Sequence, residues 1–114
     1  MKASAATLSK DERLHGTKEI ETLLKAGRWG AVGCIRYCLK DNGLDYARIL
    51  VSVPKRLFKR AVKRNLLKRR IREAYRLRKP AVGKDIFFQY TSPEVLPFAE
   101  IDAAVAEIIS RAEK

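Results

Sequence analysis

Histidine occurs once in these 114 residues, and cysteine twice. Each scarcity closes a class of function. The single His15 leaves no imidazole pair for acid and base work or for a two-histidine metal site. The acids Asp41, Asp45, Glu73, Asp85 and Asp102 fall in separate elements or turns without ligand spacing, so hydrolysis by protein side chains alone is not expected. Cys34 and Cys38 lie four residues apart on a predicted strand, on one face and roughly 13 Å apart, too far to bridge. Without further ligands they predict no zinc site, and reduced thiols agree with a cytoplasmic protein. No apolar run approaches the length of a membrane span, and Met1 to Thr7 lacks the long apolar segment of a secretory signal. Neither a membrane nor export is expected.

Acid is scarce relative to base, with 13 Asp and Glu against 25 Lys and Arg, for a net charge of +12. A polyanionic partner follows. From Pro54 to Lys79 there are thirteen basic residues and one acid, Glu73, whereas the rest of the chain is balanced. The excess belongs to one element and is not spread for solubility. Hydrophobic residues make up 46% of the chain, enough for a core, and the length suits a single domain over 1–114, with residues 1–8 expected to be flexible.

The pattern along the chain alternates helix, strands, helix, strand, helix, with no internal repeat. Thr17 is a candidate N-cap for a short helix carrying Ile20, Leu23 and Leu24 and ending near Gly27. From about Val32 to Leu39, Ile35, Tyr37 and Leu39 alternate with Cys34, Arg36 and Cys38, and Asp41-Asn42-Gly43 signals a turn. Arg48 to Val53, stopped by Pro54, and Asp85 to Thr91 read as further strands. After Pro97, the residues Phe98, Ile101, Val105, Ile108, Ile109 and Ala112 recur at the spacing of an amphipathic, core-packing helix.

Between Lys59 and Leu77 no Pro or Gly interrupts a run of good helix formers. Leu67, Ile71, Ala74 and Tyr75 form its apolar stripe, and Asn65, Arg69, Arg72 and Arg76 share another arc, with Arg64 and Lys68 at the boundary. Like charges stacked this way destabilise an isolated helix. Guanidinium forks suit phosphate oxygens and stack on bases, and an asparagine amide suits a base edge or a 2′-hydroxyl, so RNA contact explains the arrangement. A membrane-surface helix would need a broad exposed apolar face, and here the stripe is required for the core.

Arg48-Ile49-Leu50-Val51-Ser52-Val53-Pro54-Lys55-Arg56, followed by Arg60-Ala61-Val62-Lys63-Arg64-Asn65-Leu66-Leu67-Lys68-Arg69-Arg70-Ile71-Arg72-Glu73-Ala74-Tyr75-Arg76, resembles the signature of the ribonuclease P protein family. Arg13-Leu14, the first helix, Tyr37, Asp85-Ile86 and the last helix extend the likeness over most of the chain. The resemblance implies an α+β sandwich in the order αβββαβα, a central four-stranded sheet packed by helices with a left-handed βαβ crossover, like the second domain of ribosomal protein S5. It implies a cytoplasmic subunit that binds a catalytic RNA and the 5′ leader of precursor tRNA, with no membrane and no obligate protein partner. It further implies that the RNA, with Mg2+ held by RNA and substrate, removes the leader, and that the protein alone is inactive.

Carried over by position, the resemblance implies RNA contacts by Arg64, Asn65, Lys68, Arg69 and Arg72, then Lys55, Arg56, Lys63 and Arg76. It implies a leader cleft with Tyr37, Ile20 and Leu24. For Tyr37 the other reading is packing on the sheet face it shares with Ile35 and Leu39. Leu66 stands where the family usually has Arg or Lys, which implies one phosphate contact fewer. Ile20 and Leu24 replace aromatic residues, which implies weaker leader discrimination. The contrasting function is a ribosomal or general RNA-chaperone protein, which would share the charge without the Arg-Asn motif.

Overall fold

Strand pairing sets the architecture. In the computed structural model, which describes residues 12–114, four strands form one sheet in the order β1-β2-β4-β3: β1 (Arg28–Val32), β2 (Ile35–Asp41), β3 (Arg48–Ser52) and β4 (Lys84–Tyr90). The expected flexible residues 1–8 lie outside the described residues. β1 with β2 and β2 with β4 are antiparallel, whereas β3 runs parallel to β4 and is joined to it through a helix. A parallel pair cannot be closed by a hairpin, so the basic helix serves as the crossover. With α1 (Thr17–Ala26), α2 (Ala61–Arg76) and α3 (Phe98–Ala112), the order is αβββαβα in an α+β fold.

Strand alternation assigns each face. Ile35, Tyr37 and Leu39 of β2, Ile49 and Val51 of β3, and Ile86, Phe88 and Tyr90 of β4 point to one side. There they meet Leu67, Ile71, Ala74 and Tyr75 of α2 and Ile101, Val105, Ile108 and Ile109 of α3, which form the main core. Such burial contributes about 1.5 to 3 kcal/mol for each large side chain. The opposite face carries Cys38, Phe87 and Leu50, covered by Leu23 of α1 with Ile20 and Leu24 packed beside it.

Three expectations are corrected. Thr17 is the first residue of α1, not its cap; Gly16, at φ 108°, precedes it, a conformation that suits only glycine. The strand expected from Val32 is a hairpin: β1 ends at Val32, Gly33 turns at φ 54°, and β2 starts at Ile35. Cys34 therefore lies in the turn against the main core, whereas Cys38 faces α1, so the two thiols do not share a face. Burial raises the pKa of both.

One ion network locks α1 to the sheet. Asp85, 4% exposed, accepts two hydrogen bonds from Arg48 at 2.8 and 2.9 Å and a third from Asn42 at 3.0 Å. Arg48 also donates to Glu19 of α1 at 2.8 Å. The hydrogen bonds to Asp85 hold the guanidinium pKa above its ordinary value, so Arg48 stays charged.

Candidate nucleic-acid interface

The buried stripe of α2 consists of Leu67, Ile71, Ala74 and Tyr75, the four expected. Burying these turns Asn65, Arg69, Arg72 and Lys63 outward, and Lys55 and Arg56 are exposed in the loop that leads from β3 to the helix. Lys68 and Arg76 are half-buried, as is Leu66. No acidic residue occupies the first turn of α2, and Arg60 stands at the N-cap position. The positive end of the helix dipole thus coincides with added cations, an arrangement that disfavours the free helix and favours a bound anion.

Two of these arginines also have inward tasks that charge counting did not reveal. Arg64 Nη1 donates to the backbone carbonyls of Phe58 and Lys59, both at 2.8 Å, and so fixes the approach to α2. Arg70 Nη1 donates to the Leu96 carbonyl at 2.7 Å and ties α2 to the segment before α3. Sequence reading gave Arg70 no role, because its acceptor is twenty-six residues away.

At the C-terminal end the charges are met by acids. Arg76 pairs with Glu73, Arg78 with Asp102, and Lys79 with Glu12 at 3.0 Å. From Lys55 to Arg72, no basic residue pairs with a carboxylate among the described residues. Arg72 lies with Arg13 and His15 on a cleft of about 210 Å³ along β3. Partial desolvation and then the nearby charge of Arg13 pull its guanidinium pKa below the ordinary value.

The residues expected in one leader cleft are not brought together. Ile20 and Leu24 are half-buried on α1, beside Cys38 and Phe87. Tyr37 is 8% exposed on the other face of the sheet, where its hydroxyl accepts a hydrogen bond from Arg111 of α3 at 3.1 Å. Its ring packs so closely under Gly30 that a β-carbon there would lie 2.4 Å from Cζ, which is why glycine occupies that strand position. Side chains alternate strictly along a strand, so Tyr37 and its neighbour Cys38 cannot serve the same surface.

Trp29 was missed. It lies on the α1 face opposite Cys38 in register, 40% exposed, and its Nε1 donates to the Leu24 carbonyl at 3.1 Å. A lone tryptophan in a short stretch next to glycine was the available signal. Among the described residues no group of three or more His, Cys, Asp or Glu side chains could hold a metal ion, and no helix is long and apolar enough to cross a membrane.

Fold and charge together define a class: small α+β domains that present one cationic helix whose charges are uncompensated until its last turn. A model of the family described as Ribonuclease P matches residues 8–113. The ribonuclease P protein component of Porphyromonas gingivalis is 35% identical over 116 residues, covering 91% of this chain and 85% of that protein. The structure of the Staphylococcus aureus RNase P protein is similar with a TM-score of 0.79 and 25% identity, covering 90% of this chain and 95% of that one. The RNase P protein from Thermotoga maritima gives a TM-score of 0.80 at 24% identity, over 90% and 99% of the two chains. This chain belongs to the ribonuclease P protein family, and its role lies in tRNA processing.

Proposed function

We propose that the protein is the RNA-binding subunit of ribonuclease P and that α2 as far as Arg72, with the loop before it, holds the catalytic RNA. The observation that carries this is the run from Lys55 to Arg72, whose cations have no carboxylate partners among the described residues and which includes a helix start free of acid. Asn65, Lys68, Arg69 and Arg72 are the principal contacts, joined by Lys55, Arg56 and Lys63. Arg64 contacts RNA with the guanidinium nitrogens not used on Phe58 and Lys59. Arg76, paired to Glu73, contributes least. Leu66 offers no charge at its position.

The 5′ leader of precursor tRNA passes over the α1 side of the sheet, where Ile20 and Leu24 supply apolar contact. Tyr37 is assigned to packing against α3 and not to the leader, because it faces the main core. Bond cleavage belongs to the RNA, with Mg2+ held by RNA and substrate. What the protein contributes is charge neutralisation and a fixed surface for substrate, with no obligate protein partner.

Salt provides the test. Neutralising phosphates releases condensed counterions, so affinity for the catalytic RNA should fall about a thousandfold or more between about 50 and 200 mM salt. An affinity that does not change over that range would remove the helix as the RNA-binding surface. In parallel, rigorously RNA-free protein should leave precursor tRNA intact, and adding the catalytic RNA with Mg2+ should produce cleavage.

A further inference from the structure

The α1 face of the sheet consists of three cross-strand rows, and α1 does not treat them alike. Lys40, Asp85 and Arg48 make the row of ions beneath Glu19. Trp29, Cys38, Phe87 and Leu50 make an apolar row, most of it under Leu23 and its neighbours. The third row is Ala31, Arg36, Gln89 and Ser52, in register across β1, β2, β4 and β3. Ala31 and Arg36 are exposed, Gln89 and Ser52 half-buried, and no described residue hydrogen-bonds to the Gln89 or Ser52 side chain. An amide and a hydroxyl on a rigid sheet are thus left with open donors and acceptors.

Trp29, at the β1 end of the apolar row, borders this third row. Phe87 is perpendicular to it with ring centroids 5.9 Å apart, and the bond from Nε1 to the Leu24 carbonyl fixes the indole plane. The Arg36 guanidinium lies 4.1 Å from the ring centroid. A guanidinium over an exposed indole occupies the position a stacked base would take, and it can move aside to a phosphate when one arrives. The aromatic surface absent from α1, where Ile20 and Leu24 stand, is present here on the adjoining strand.

We infer that Trp29 and Arg36, with Gln89 and Ser52 beside them, form a subsite for nucleotides of single-stranded RNA. One base stacks on Trp29 in place of Arg36, the displaced guanidinium takes a backbone phosphate, and the Gln89 amide and Ser52 hydroxyl read the edge of the next base. The site rests on the leader reading above and names its specificity-determining residues.

Trp29 is the chain's only tryptophan, so its emission in the assembled holoenzyme reports this site alone. Titration with precursor tRNA bearing a leader of several nucleotides should quench it, and mature tRNA should not. Trp29→Ala should weaken precursor binding about tenfold and leave mature tRNA binding unchanged, whereas Trp29→Phe, which keeps a ring, should retain most of the affinity. Gln89→Ala should reduce the preference between leaders differing at one base by about fivefold. Equal emission changes with precursor and mature tRNA, or undiminished precursor affinity in Trp29→Ala, would overturn the assignment and leave the leader surface to α1. A wild-type holoenzyme with no preference for precursor over mature tRNA would remove the leader reading itself, and this site with it.

Discussion

The two ends of the basic segment carry similar charge under opposite circumstances. At the C-terminal end Arg76, Arg78 and Lys79 each have an acid, supplied by Glu73, Asp102 and Glu12. Toward the N-terminal end Lys63, Asn65, Arg69 and Arg72 face outward beside a helix start with no acid to offset it. A basic residue is therefore informative about a partner only after its partners within the chain are known. Arg48 shows the limit of inward use: it is charged, largely buried, and wholly committed to Asp85 and Glu19.

That contrast is broken most severely at Arg48. Arg48→Ala strands the Asp85 carboxylate in the interior, and removing one partner of a buried pair costs about 3 to 5 kcal/mol. Thermal unfolding should show the loss, while any protein that remains folded should bind catalytic RNA with wild-type affinity. A selective loss of RNA affinity without destabilisation would place Arg48 at the interface instead.

Outward arginines should behave the other way. Arg69→Ala and Arg72→Ala should each weaken assembly with catalytic RNA by about 1 to 3 kcal/mol and lower the salt dependence, with the melting temperature held. Arg64→Ala combines both effects, since the Phe58 and Lys59 carbonyls lose their donor as well. At the paired end, Arg78→Ala removes a surface ion pair worth about 0.2 to 1 kcal/mol of stability and should leave RNA affinity nearly unchanged. Equal RNA effects from Arg69→Ala and Arg78→Ala would show that total charge, not its pairing, sets affinity.

Much of this was legible in sequence wherever the determining contacts are local or periodic. The α2 stripe, β3, β4 and the α3 face follow from side-chain spacing, and the concentration of charge is visible by inspection. The strand β1 was not legible, because Arg28 to Val32 lies at a sheet edge, is mostly exposed, and contains Gly30 to admit the Tyr37 ring. Nor were the tasks of Arg70 and Arg78, whose partners Leu96 and Asp102 lie more than twenty residues away. Alternation correctly grouped Tyr37 with Ile35 and Leu39. Which face α1 covers is a tertiary fact, and without it Tyr37 was grouped with Ile20 and Leu24, which lie on the other face.

The smallest expected effects on tRNA binding come from Tyr37, and they decide between the two faces. Tyr37→Phe keeps the ring and removes only the hydroxyl that accepts from Arg111, a contact at the sheet margin, so the loss of stability should be about 1 kcal/mol or less. Tyr37→Leu removes the ring and destabilises the core under Gly30. Measured on folded protein, it should leave the ratio of precursor to mature tRNA affinity unchanged, because the core-facing Tyr37 ring is not available for a base to stack on. The comparison requires circular dichroism on each variant, then titration of each holoenzyme with both tRNAs. If Tyr37→Leu lowers precursor affinity alone while Trp29→Ala does not, the leader lies on the α3 side of the sheet and the assignment of the two faces is reversed.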